Sequence, residues 1–181
     1  MKIKFTGKNG GDPGEYWRSI ETAARIQVAD AVKGGSYLIE KIRSLTARGV
    51  DYRGRPFAEY SEAYAKAKGD THVNLSRSGR MLGALRVRVN GRIFSSTSTV
   101  ATTERANGMQ VGIFENDKEA MKGSVHNNGL LIRRSQGRKS VLRGSVTRIP
   151  QRRWLDATAA TTNEIKQVMN NSREERVRDT I

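Results

Sequence analysis

The sequence predicts an α+β fold: a long N-terminal helix and a C-terminal helix packed on a mainly antiparallel sheet, with an extended basic hairpin. Three observations carry this. Apolar or small residues recur at spacings of three and four from Trp17 to Leu45, which is one face of a long helix. Two Asn-Gly dipeptides, at 90–91 and 107–108, separate short runs of alternating polarity, the strongest local signal for hairpins. A second helical pattern then closes the chain at TAATTNEIKQVMNN, with Ile165, Val168 and Met169 on one face.

Taken in order, residues 2–6 (KIKFT) alternate and read as a short first strand, ended by the glycines from Gly7 to Gly14. Asp12-Pro13-Gly14-Glu15 has the form of a helix start: Asp as N-cap, Pro at the first helical position and a carboxylate near the positive end of the dipole. The helix is expected over roughly 15–47. Gly34-Gly35 in its middle costs about 1 kcal/mol per Gly relative to Ala, so a bend or a very close helix contact is expected there. Residues 49–69 begin as a turn-rich loop and become a short helix from about Ser61, and Gly79 to Ala84 form a brief apolar turn. The two Asn-Gly turns suggest a four-strand antiparallel meander over about 84–115. A helical turn over 117–126 comes next, then a long hairpin over 129–149 with LLIRR and SVTRI as its arms. The closing NSREERVRDTI is polar and expected to fray. This gives a single domain over 1–170, a protruding basic hairpin or loop at 133–148, and a polar tail over 171–181.

Composition narrows the function. Lys and Arg number 33 against 18 Asp and Glu, a formal net charge of +15, which points to a polyanionic partner or an acidic neighbouring subunit. The excess is spread along the chain, +8 in residues 1–90 and +7 in 91–181, so it is not a simple basic tail. Without cysteine there is no disulfide, Cys-based zinc site or thiol nucleophile. The first residues lack a signal-peptide core and no run approaches a membrane span, so a soluble protein made in a cytoplasm, with no membrane partner, is expected.

Catalytic patterns are sparse. His72 and His126 are too few and too isolated for a metal centre, and His126-Asn127-Asn128 has no downstream histidine to complete a His-Asn-His nuclease. GKNGG at 7–11 lacks the Lys-Ser/Thr ending of a phosphate loop. Glu59, Glu62 and Asp70 read as a solvated face, and Ser76 and Ser78 have only His72 as a conceivable base. No enzyme activity, cofactor or metal is expected. Met81, Met109, Met121 and Met169 read as fillers of a core or an interface, and Trp17 and Trp154 as anchors of the core or of a subunit contact.

The stretch 133–155 stands apart, with eight Lys or Arg and no acid. Arg133, Arg134, Arg138, Lys139, Arg143 and Arg148 cannot be buried without partners. They belong in solvent, or against DNA phosphates, or against an acidic neighbour.

The order of segments resembles a known family. After a long N-terminal helix come Gly49-Val50-Asp51-Tyr52-Arg53-Gly54-Arg55-Pro56-Phe57, with Ser61 beyond, and then Leu75-Ser76-Arg77-Ser78-Gly79-Arg80-Met81-Leu82 ahead of strands. His126-Asn127-Asn128-Gly129 and Ile149-Pro150-Gln151-Arg152-Arg153-Trp154-Leu155 complete the set. Together, over 15–170, these resemble the tailed-phage virion-morphogenesis, or tail-completion, family. Arg153-Trp154 stands where that family more usually has a small residue or Pro before Phe or Trp. The resemblance implies a structural virion protein of a tailed bacteriophage, assembled in the host cytoplasm into a homo-oligomeric ring in the neck, as head-tail connector, tail-completion or tail-terminator protein. It implies a cyclic hexamer, with a dodecamer as the other ring size, contacts with neighbouring connector and tail proteins, and genomic DNA in the lumen bound without sequence specificity. Within it, Trp17, His126, Ile149, Pro150, Arg152, Trp154 and Leu155 are candidates for a subunit interface or structural clasp. The basic hairpin is candidate lumen wall on charge alone. A stand-alone, non-specific DNA-binding or packaging-accessory protein is the alternative.

Overall fold

The helical periodicity starting at Trp17 builds two helices. A computed structural model describes residues 13–75, 78–133 and 146–180; the expected first strand at 2–6 and the Asp12 cap lie outside them. α1 spans Pro13–Ala24 and α2 spans Val28–Ala47. The single helix expected over 15–47 is broken at 25–27 because another segment takes up that backbone. Val28 N–H donates to Glu104 O at 2.9 Å and Ala106 N–H to Ile26 O at 3.1 Å, with Gln27 bridging antiparallel to Arg105. The Asp30 carboxylate then accepts from Gln27 N–H at 2.8 Å, satisfying one of the orphan donors at the new helix start.

α2 runs continuously through Gly34-Gly35, and the very close helix contact expected there is present. The two glycines are the places where two partners touch its backbone. A Cβ on Gly35 would sit 2.5 Å from Val87 Cγ1, and one on Gly34 2.8 Å from Met169 Cγ, so the sheet and the C-terminal helix each press directly on α2.

α3 (Glu62–Lys68) and α4 (Arg80–Gly83) are short. β1 (Arg86–Val89), β2 (Arg92–Phe94) and β3 (Met109–Gly112) form an antiparallel sheet of order β2-β1-β3. The first Asn-Gly makes its hairpin, with Asn90 at φ 49° and Gly91 at φ 77°, both left-handed as a two-residue primed turn requires. The second does not, so the sheet has three strands and not the expected four. Residues 104–106 pair with 26–28, and the Asn90 side chain ties down the adjoining backbone: it donates to Arg105 O and accepts from Asn107 N–H, both at 2.8 Å. β3 therefore returns to the far side of β1.

α5 is a full helix, Asp117–Asn128, longer than the expected turn; its Asn116 cap accepts from Glu119 N–H at 3.1 Å. β4 (Leu130–Arg133) and β5 (Val146–Ile149) form a separate two-stranded antiparallel ladder. α6 covers Ala159–Thr180. The expected fraying tail is thus helical up to Thr180, and its anchor is Arg176, whose guanidinium donates to both oxygens of the fully buried Asp30 at 2.9 and 2.7 Å and to the carbonyls of Ala23 and Arg25. These contacts tie α6 to the joint between α1 and α2.

The result is an α+β fold in which α2 and α6 pack with a three-stranded antiparallel sheet. One flank of α2 lies on β1 and β3 and another on α6, while α1 also packs on α6. The core gathers Val28, Val32, Ile39, Ile42, Leu85, Val87, Val89 and Trp154. Met81 is buried in it, and Met109 and Met169 pack on its edge, but Met121 is exposed and fills no core among the described residues. No helix among the described residues is long and apolar enough to cross a membrane.

Candidate functional site

The cationic stretch is mounted on a ladder that the rest of the sheet does not share. β4 and β5 pair Leu130 with Ile149, Leu131 with Arg148, Ile132 with Thr147 and Arg133 with Val146. Arg133 and Arg148 are thereby given fixed backbone positions on the two arms. Arg134, Arg138, Lys139 and Arg143 lie outside the described residues.

Both ends of the ladder are fastened to the domain. On the outgoing side, α5 ends at Gly129, whose φ of 73° suits glycine. A Cβ there would also lie 3.0 Å from Ile149 O, so only glycine lets the two arms begin this close together. On the return side, Arg152 N–H donates to His126 O at 2.7 Å and Leu155 N–H to Asn127 Oδ1 at 3.1 Å, joining the end of β5 to the end of α5.

The side chains complete this clasp. Trp154 is 2% exposed, and its Nε1–H donates to Gly123 O at 3.1 Å. Gly123 leaves room for the ring, since a Cβ would sit 3.0 Å from Trp154 Cζ2. Arg152 is buried as well: Nε donates to Ala58 O at 2.9 Å, an Nη to Glu59 O at 3.0 Å, and the guanidinium lies 5.1 Å from the centre of the Tyr60 ring. Burial pushes the Arg152 pKa down, against an opposing influence from Tyr60 and Tyr64. His126 sits beside it, and burial first, then the Arg152 charge, push its imidazole pKa down. His126 Nδ1 is buried with no hydrogen-bond partner among the described residues.

His126, Ile149, Pro150, Arg152, Trp154 and Leu155 therefore come together in one place, at the foot of the hairpin. Trp17 does not join them. It lies on α1 and is 66% exposed, in edge contact with Tyr16 at 5.7 Å between ring centres.

Sequence reading left Arg53 and Arg55 without a role, although both stand in the Gly49–Phe57 segment. That segment is a rigid loop. The Asp51 carboxylate accepts from the amides of Arg53 (2.8 Å) and Arg55 (2.9 Å), Asp51 N–H donates to Arg55 O (2.7 Å), and Tyr52 N–H donates to Arg153 O (3.2 Å). An Asp two and four residues ahead of two Arg is the signal that was available: it reads as an Asx turn presenting two cations. The last contact brings Arg53 and Arg55 beside Arg152 and Arg153 around a cleft of about 360 Å³. Arg176, the other missed residue, lay in a helix end too polar to suggest packing.

Among the described residues, no group of three or more His, Cys, Asp or Glu is placed to hold a metal ion. No protein-family model, curated protein or solved structure matches this chain.

Proposed function

We propose that the chain is a structural virion protein of a tailed bacteriophage, not an enzyme. It forms a homo-oligomeric ring in the neck, as a head-tail connector, tail-completion or terminator protein, and genomic DNA passes through the ring. The observation that carries this reading is the clasped ladder. A stretch over 133–148 with six Lys or Arg and no acid begins and ends on its own pair of strands, and both ends of that pair are fixed to the core through Gly129, Arg152 and Trp154. A mobile basic tail would need no such mounting. Repeated around a ring, a mounted cationic loop adds weak phosphate contacts that need no base readout. Such a ring also needs a surface for its neighbours, and Trp17, Met121 and Leu130 are large apolar side chains left exposed.

Light scattering and negative-stain microscopy of the purified protein test this. Rings of one size are expected, a hexamer first and a dodecamer next. Replacing Arg133, Arg134, Arg138, Lys139 and Arg143 with Ser should leave the rings intact while impairing DNA retention in assembled particles. A monomer that binds duplex DNA with a steep salt dependence would replace this reading with that of a stand-alone DNA-binding or packaging-accessory protein.

A further inference from the structure

The cleft beside the clasp carries more positive charge than its own residues balance. It is lined by Asp51, Tyr52, Arg53, Arg55, Arg152 and Arg153 among others. Four arginines and one aspartate thus line the cleft, and the Asp51 carboxylate already accepts two backbone amides through Oδ1. None of the four arginines forms a salt bridge with a described residue: the nearest partners are carbonyls for Arg152, the Tyr60 ring for Arg152 and the Tyr52 ring, at 5.1 Å, for Arg53. Some arginines elsewhere among the described residues do find acids, as in Arg176 with Asp30 and Arg92 with Glu104. Arg53, Arg55 and Arg153 are exposed, while Arg152 is held beneath them.

The backbone of both walls is hydrogen-bonded in place. Arg53 and Arg55 come from one loop, fixed by the Asp51 turn and by Phe57 N–H donating to Gly49 O at 2.8 Å, while Arg152 and Arg153 come from the clasp. Guanidiniums carried on two such backbones can reach a tetrahedral oxyanion from two sides, and Arg forks match its oxygens.

We propose that this cleft is a phosphate-binding site, separate from the hairpin, that seats a phosphoryl oxyanion between Arg53, Arg55 and Arg153, with Arg152 supplying fixed positive charge below. The phosphoryl group comes either from the DNA backbone or from a free phosphate. The site goes beyond the ring reading, since it needs no ring to bind. An anion in the cleft would also offset the burial that lowers the Arg152 pKa.

The test uses the full chain and the triple variant R53S/R55S/R153S, whose changes fall on exposed side chains. Duplex DNA binding is followed by fluorescence anisotropy across a salt series, and inorganic phosphate by its effect on Tm. The slope of log K against log salt should fall by about 1 for each arginine that touches a phosphate. A control lacking the exposed Lys66, Lys118 and Lys166 should keep the original slope. If phosphate raises the Tm of the native protein and not of the triple variant, the source includes free phosphate. If only the DNA slope responds, the source is the DNA backbone. Equal loss in the lysine control, or an unchanged slope together with no phosphate response, overturns the site. Loss of subunit association with DNA binding intact overturns it too, because the arginines then face a neighbour's carboxylates. The five-residue hairpin variant, measured alongside, separates the two readings: its failure to alter DNA binding would count against the hairpin and leave the cleft standing.

Discussion

Trp154→Ala should remove the clasp at its centre. The ring is 2% exposed, and replacing a buried Trp by Ala costs about 3–5 kcal/mol. The upper part of that range applies here because the ring packs against helix backbone at Gly123, which cannot collapse into the space as a side chain could. Loss of the Nε1–H to Gly123 O hydrogen bond contributes about 1 kcal/mol of it. A loss of about 4 kcal/mol, with a urea m value of about 2 kcal/mol/M for a domain of this size, lowers the unfolding midpoint by about 2 M. Trp154→Phe keeps one ring but loses the donor, and should cost about half as much. Urea titration followed by far-UV circular dichroism reads the midpoints without relying on tryptophan emission. Hydrogen exchange adds the location: amides of Leu130–Arg133 and Val146–Ile149 should lose more protection than those of Arg86–Val89, since Trp154 binds the ladder to the core. A midpoint within about 0.3 M of the native one, or equal loss of protection in both sheets, refutes the clasp.

Gly35→Ala places a methyl 2.5 and 2.7 Å from the two Val87 methyls, on a strand residue that is fully buried. Overpacking of about 1–3 kcal/mol should outweigh the helix-propensity gain of about 1 kcal/mol, and Val87→Ala in the same chain should relieve it, as a double-mutant cycle in urea would show. Gly34→Ala meets Met169, which can rotate away, and Ile165 Cγ2 at 3.1 Å, which must give by only a few tenths of an ångström, so it should cost less than Gly35→Ala. Arg176→Ala leaves the Asp30 carboxylate buried and unpaired and should cost about 3 kcal/mol by urea titration. Burial pushes the Asp30 pKa up, but hydrogen bonds from Arg176, Gln27 and Ser172 and the Arg176 charge outweigh it and hold it below the usual 3.8. Its contribution is therefore complete above pH 3.8 and is lost as pH falls through the lower folded value, a loss that Asp30→Asn should abolish. His126 acts earlier on the scale. Its folded pKa lies below the ordinary 6.5, so the unfolded chain takes up the proton first, and stability should fall as pH drops below 6.5 until the folded value is passed; His126→Gln should flatten that part of a Tm against pH curve.

Much of the fold was legible because local rules and global packing agreed there. Asn90-Gly91 can satisfy two left-handed positions with no help from elsewhere, and its hairpin formed. Asn107-Gly108 carries the same signal, yet residues 104–106 found a partner at 26–28, and that pairing displaced the turn and split the first helix. Both misreadings have one cause, a contact between segments nearly 80 residues apart that no window of sequence contains. The end of α6 was misjudged for the same reason. NSREERVRDTI has too little apolar surface to suggest packing, but Arg176 reaches a buried carboxylate 146 positions away.

The candidate site divides along the same line. The amino-acid sequence by itself determined the +15 balance, the acid-free run at 133–155 and the helix and hairpin periodicities, because charge and local conformational preference belong to residues and their immediate neighbours. Only the tertiary structure decided that Trp154 is core while Trp17 is surface, that Arg152 is buried on carbonyls, and that Arg53 and Arg55 share a cleft with Arg153. Burial and convergence are relations between distant parts of the chain. They exist only once hydrophobic closure has fixed α5, the Gly49–Phe57 loop and the end of β5 against one another.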